Sequence, residues 1–221
     1  MSQSLGPCNR NRTVPRVLSA DDVSSFRDRL CQAAERLFAE HGPDAVTMRQ
    51  LAADLGCSPM TPYRYFKDKE EILAAVRSAA FDRFADALEQ AFSAAAVSDP
   101  MARSEAVGRA YVRFALAEPH AYRLMFDLMQ PGEEAYPELV RATDRARATM
   151  TNHLKGLMPP EQFAVRGGLI GHVFWAAVHG VLMLHLAGKL GPEVEVGALM
   201  ESMMKTVAAG ISSKITSIGV S

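Results

Sequence analysis

The sequence predicts an all-α protein of about nine helices, and three observations predict it. Apolar residues recur at helical spacing through most of the 221 residues, and no convincing stretch alternates apolar with polar as a half-buried strand would. Breaks rich in Gly and Pro punctuate the pattern at His41-Gly42-Pro43, Leu55-Gly56, Pro131-Gly132, Pro159-Pro160 and Gly191-Pro192. Composition is 48% hydrophobic and 22% charged, which supports a packed core and excludes disorder except at the very start.

The elements follow in order. Phe26, Leu30, Ala33, Ala34, Leu37 and Phe38 share one face of a first helix over about 24–40, with Gly42 as its left-handed cap. Thr47 and Gln50 form a capping box, with Val46 and Leu51 at the staple positions, so a short second helix runs 47–55. Ser58 as N-cap and Pro59 at the first position start a third helix to about residue 66, in which Pro62 forfeits only an early backbone bond. Asp68 and Glu71 make another box, opening a long helix to about residue 96. Further helices are expected near 100–118, 122–129, 134–158, 161–188 and 194–213.

Net charge is −1, with +1 over residues 1–83 and −2 over 84–221. Any nucleic-acid binding therefore depends on local charge. Residues 1–20 carry Arg10, Arg12 and Arg16 and no acid, and lack a signal-peptide apolar stretch; they read as a basic arm able to reach a minor groove or simply to stay disordered. Three cysteines without a CxxC argue against disulfides or a zinc ribbon and for a reducing cytoplasm; Cys57 reads as a small buried residue or, less simply, a redox sensor. Residues 167–188 contain no Asp, Glu, Lys or Arg, but three histidines and five glycines fit a helix buried in protein better than a membrane span.

Two short helices joined through Gly56-Cys57-Ser58 match a helix-turn-helix at 47–66, in which one helix enters a major groove and the preceding one braces it. The exposed face of the reading helix should present Pro59, Met60, Thr61, Tyr63 and Arg64. Met60 or the Thr61 methyl suits a thymine methyl, while Tyr63 and Thr47 can donate to phosphate. Arg49 can reach guanine or phosphate, and Lys69 stands in the first turn of the next helix, which favours phosphate. Tyr65 and Phe66 fit the core better than the DNA face.

The stretch from Phe26 to Leu73 resembles the N-terminal domain of TetR-family regulators, through Ala33–Gly42, Thr47, Leu51-Ala52, Gly56-Cys57-Ser58, Tyr63-Arg64-Tyr65-Phe66 and Lys69. Cys57 and Pro62 depart from the family pattern, at structural positions. The resemblance implies Thr47, Arg49, Ser58, Pro59, Met60, Thr61, Tyr63, Tyr65 and Lys69 as the DNA-facing set. It implies a division into an arm (1–23), a DNA-binding domain (24–83) and a helical effector-binding and dimerisation domain (84–221). It further implies a cytoplasmic repressor that binds a palindromic double-stranded operator as a homodimer and is released by a small effector. An activator or a ligand-independent regulator of the same fold stays open.

The C-terminal residues agree that a partner is needed: the helix at 161–188 is apolar on nearly all sides, and glycines 167, 168, 171 and 180 permit close helix approach. Dimerisation is expected through the helices near 161–188 and 194–213. Trp175, His179 and Gly180, with the upstream YVRFALAEPHAYRLMFD, resemble the WHG-type C-terminal subclass. Trp175, His179 and Met183 share a face, and with Tyr122, Met125 and Phe126 they form either a pocket for a small apolar or amphipathic effector or plain core. His172 and His179 lack metal-pair spacing, and no nucleophile elbow, phosphate loop or paired carboxylate occurs. No cofactor, metal, membrane or catalytic activity is expected.

Overall fold

The computed structural model describes residues 20–126 and 132–217; the basic arm falls almost wholly outside them, as do Cys8 and the end of the helix expected at 122–129. The described residues form eight α-helices and two 3-10 turns: α1 (Ala20–His41), α2 (Met48–Asp54), α3 (Lys69–Ala94), α4 (Pro100–Ala117), α5 (Pro119–Met125), α6 (Pro137–Asn152), α7 (Pro160–Leu186) and α8 (Val196–Ser217), with 3-10 turns at Pro62–Arg64 and Glu133–Ala135. The all-α expectation stands.

Several boundaries moved for identifiable reasons. Helix α1 begins at Ala20 because Asp21 and Asp22 occupy its first turn, where carboxylates complement the helix dipole. Pro119 and Pro137 each occupy the first helical position, so α5 starts early and α6 starts late. The end of α6 tightens: Leu154, Lys155 and Leu157 each donate to the carbonyl three residues back, so regular helix stops at Asn152 rather than at 158.

The correction that matters most concerns the third element. No α-helix spans 59–66; the segment is a turn followed by the 3-10 turn Pro62–Arg64. Pro62 has no N–H to give the Ser58 carbonyl, which is taken by Thr61 N at 2.8 Å instead. Arg64 N to Thr61 O and Tyr65 N to Pro62 O continue the three-residue steps, and only Phe66 N to Pro62 O (3.0 Å) has α-helical spacing.

Two apolar cores share α3. Leu30, Phe38, Val46, Leu51 and Phe66 gather round its Ile72, Leu73 and Val76; Tyr111, Phe114, Tyr122, Met125, Leu139, Met150 and Leu182 gather round its Phe81, Phe84 and Leu88. The boundary expected at 83–84 therefore lies inside one continuous helix. The short α5 also touches both cores, Leu124 in the first and Met125 in the second.

Helix α7 is long and apolar enough to cross a bilayer by length and composition. Gly167, Ile170, Gly171, Val178, Val181 and Leu182 form its buried face. A side chain at Gly171 would strike Thr151 Cγ2 and the Met150 carbonyl, so that glycine sets the approach of α6. The opposite face is open: Val165 is 82% and Leu169 70% exposed, and Val173 and Leu184 are exposed as well. At 100° per residue these four fall within an arc of about 100°. Ala176 and Gly180 lie within the same arc, and a Cβ at Gly180 would meet nothing in this chain.

Candidate nucleic-acid interface

The bracing helix α2 is held at both ends. Thr47 accepts from Gln50 N (3.2 Å) while Gln50 Oε1 accepts from Thr47 N (2.8 Å), completing the capping box. Val46 and Leu51 are both buried in the first core, as staple positions require. At the other end Gly56 takes φ +63°, with Cys57 N donating to Ala52 O and Gly56 N to Ala53 O, the paired bonds of a Schellman motif. A bidentate Arg36–Asp54 contact (2.8 and 2.7 Å) clips α2 to α1.

The reading segment is held from behind. Phe26 stacks on Tyr65 at 4.4 Å, Arg27 donates to the Tyr65 carbonyl, and its guanidinium sits 4.0 Å from the Phe66 ring centroid. Pro62 and Phe66 are buried. The other side of the segment is open: Met60 is 68% and Tyr63 48% exposed, and Arg49, Ser58, Pro59 and Arg64 are exposed too.

The structure divides the nine residues expected to face DNA. Arg49, Ser58, Pro59, Met60 and Tyr63 are exposed and Thr61 is half-buried. The Thr47 hydroxyl already donates to Gln50 Oε1 at 2.8 Å, leaving its oxygen free only to accept. Tyr65 is half-buried against Phe26, on the core side. The Lys69 ammonium donates to the carbonyls of Pro43 (2.7 Å) and Asp44 (3.4 Å), tying α3 to the loop before α2. The α3 N-terminus is also closed by carboxylates, with Glu71 N on Asp68 Oδ1 (2.8 Å) and Lys67 N on Glu71 Oε2 (2.5 Å). Arg64, expected on the exposed face though outside the nine, and Lys67, which was not foreseen, are exposed cations; Arg64 has no side-chain partner among the described residues, and Lys67 has only Asp68 at 3.9 Å. Arg27, whose role depends on a residue 38 positions away, left no sequence signal.

The second core holds a cavity of about 210 Å³ lined by Phe81, Phe84, Met125, Phe126, Met150 and Trp175, with Thr143, Ala146, Glu133 and Arg147. Of the six expected pocket residues, Met125, Phe126 and Trp175 line it; Tyr122, His179 and Met183 do not. Tyr122 and His179 instead belong to a hydrogen-bonded chain: Trp175 Nε1 lies 3.1 Å from Tyr111 Oη, the two tyrosine hydroxyls are 2.8 Å apart, and Tyr122 Oη is 2.7 Å from His179 Nδ1. Indole N–H only donates, so every hydroxyl proton is used only if Tyr111 donates to Tyr122 and Tyr122 to His179. Burial lowers the His179 imidazole's proton affinity, keeping the neutral acceptor that this polarity needs. His172 spends its Nδ1 on Gly168 O (2.7 Å).

One buried side chain braces the cavity wall from α3. Arg77, buried on α3 beside Val76 of the first core, donates to the Met125 carbonyl (3.2 Å) and to Glu133 Oε1 (2.7 Å), both cavity-lining residues. Its Nε is buried with no hydrogen-bond partner among the described residues.

Such an arrangement defines a helix-turn-helix DNA-binding transcriptional regulator, and comparison with known proteins gives the family. Residues 30–76 match the family model for bacterial regulatory proteins of the tetR family, and residues 104–207 the tetracyclin repressor-like C-terminal domain. The chain is 41% identical over 58 residues to a helix-turn-helix regulator of Mycobacterium tuberculosis, covering 26% of this chain and 29% of that one. It is 31% identical over 138 residues to the regulator BetI of Rhizobium meliloti, covering 61% and 67%. A solved structure from Rhodococcus sp. RHA1 superposes with a TM-score of 0.68 at 28% identity, covering 84% and 94%. The chain belongs to the TetR family.

Proposed function

We propose that this protein acts in the cytoplasm as a homodimeric repressor, binding a palindromic operator and leaving it when a small molecule enters the C-terminal domain. The observation that carries the DNA reading is the open side of residues 58–64: exposed Met60 and Tyr63 for base edges and phosphate, with the exposed Arg64 guanidinium beside them. Arg49 and Lys67 supply further charge for the backbone. Thr47 and Lys69 act chiefly by fixing α2 and α3, and Tyr65 by packing.

The open apolar arc of α7 supports the dimer. A stripe of Val165, Leu169, Val173 and Leu184, with Ala176 and Gly180 between them, suits close packing on its copy, with α8 alongside. A two-fold dimer would set its reading segments about 34–36 Å apart, one helical turn of DNA. The cavity supports the effector step, and Arg77 gives it a route: displacement of Met125 or Glu133 disturbs a guanidinium rooted next to the first core. The match of residues 104–207 to a tetracyclin repressor-like C-terminal domain supports repression over activation.

The test is selection of bound fragments from random DNA, followed by anisotropy titration over a range of salt. A palindromic site is expected. Arg64→Ala should weaken binding, with loss of about one unit of salt slope if it meets phosphate, or relaxed preference at one base pair if it meets a base. Unchanged affinity, slope and preference would remove Arg64 from the interface. Repression is read by a reporter in a deletion strain, where lower expression on loss of the protein would mark an activator.

A further inference from the structure

The orphaned hydroxyl in the cavity wall carries an inference about the ligand. Helix α6 bears three threonines, Thr143, Thr149 and Thr151. Thr149 and Thr151 donate to the carbonyls of Ala146 (2.7 Å) and Ala148 (3.2 Å), the usual resting place for a helical hydroxyl. Thr143 does not: its Oγ1 is buried and has no hydrogen-bond partner among the described residues, while its side chain lines the cavity. A buried hydroxyl without a partner is costly to leave so.

The rest of the wall fixes the class of the missing partner. Phe81, Phe84, Phe126 and Trp175 offer ring faces and edges, and Met125 and Met150 adaptable thioethers. The two charged lining residues each have an ion-pair partner, Glu133 with Arg77 (2.7 Å) and Arg147 with Asp144 (2.7 Å), and the rest of the lining apart from Thr143 is apolar. An ion entering there would lose its hydration without compensation. The volume is restrictive as well. An apolar cavity of about 150 Å³ accommodates benzene, and drug-sized ligands need roughly 300 Å³ or more; about 210 Å³ therefore suits one ring with a small substituent.

We propose that the cavity binds a small neutral aromatic molecule, a single ring bearing one hydrogen-bonding group that pairs with the Thr143 hydroxyl. Binding stands on the cavity itself; only its consequence for DNA rests on the effector reading above.

The test titrates the full-length protein calorimetrically with phenol, toluene and benzoate, using wild type, Thr143→Val and Thr143→Ser. Val matches Thr in shape, with a methyl in place of the hydroxyl; a melting temperature at or above that of wild type confirms the fold. Wild type and the Ser variant should bind phenol, and the Val variant about tenfold more weakly, the equivalent of one hydrogen bond. Toluene should bind the Val variant at least as well as wild type. Absence of phenol binding, equal phenol affinity in the Val variant, or benzoate binding tighter than phenol would each overturn the assignment. A second arm follows displacement of selected operator DNA. Phenol that binds without releasing DNA retains the site and overturns the effector reading. Release by another compound, with no phenol binding, overturns the site and retains the effector reading.

Discussion

The two cores that share α3 are finished to different degrees. Around the first, α2 has both ends capped and the reading segment is clamped by Phe26 and Arg27. Around the second lie a cavity, a threonine hydroxyl without a partner among the described residues, and an apolar helix face open to solvent. The first is built to hold one shape, and the second leaves places for something else. Regions that must respond to a ligand are drawn from the less completely packed parts of a fold.

The strongest test of this contrast is paired core truncation. Leu51→Ala, fully buried in the first core, should cost about 3–5 kcal/mol, whereas Met150→Ala beside the existing cavity should cost nearer about 2 kcal/mol because less contact is lost. Urea unfolding of both variants measures the difference, and equal losses would dissolve the contrast.

The next effect separates the regions by pH. His153, in the second region, accepts from Ser104 at Nδ1 (2.9 Å) and gives its Nε2 proton to the Met150 carbonyl (3.1 Å). Burial pushes its pKa down from 6.5 to about 4. The unfolded chain thus takes up this proton first, near pH 6.5. The native state is favoured above that value, and the advantage is lost as pH falls toward 4, on the order of 2–3 kcal/mol in all. In the His153→Asn variant the stability profile between pH 7 and 4 should be flatter by about that amount, as melting curves across the range would show.

The smallest effect returns to the first region. Thr47→Ala removes the cap of α2 and should cost about 1 kcal/mol in chemical denaturation. Operator affinity should fall by a comparable factor if α2 is partly frayed in the free protein; loss of stability with DNA binding intact would make the cap purely structural.

Legibility in the sequence follows the same division. The features of α2 are local: a box within four residues, a staple five apart, a glycine one position beyond the cap. Such signals can be read along a chain, and the helix-turn-helix was legible from them. Pro62 was read as tolerable in an α-helix; its missing N–H instead turned the reading segment to 3-10 spacing. Lys69 was read by its place at a helix start, but the carbonyls of Pro43 and Asp44, 26 and 25 residues earlier, claim its ammonium. Three of the ten cavity-lining residues were foreseeable, because Trp175, Met125 and Phe126 advertise themselves as large apolar residues. Phe81, Phe84 and Thr143 come from helices whose juxtaposition no local pattern encodes, and Arg77 meets its partners 48 and 56 residues away.

The uninterrupted run of α3 from Lys69 to Ala94 has a mechanical consequence. Twenty-six residues make a rod about 39 Å long. Pivoted near Leu88, about 28 Å from Lys69, a rotation of about 5° swings the Lys69 end by roughly 2.5 Å. Because the Lys69 ammonium is tied to the loop entering α2, that swing is delivered to the bracing helix with little slack. In the homodimer proposed above, two such levers would double any change in the gauge between half-sites, so a movement too small to disturb either core would be large enough to misfit rigid DNA.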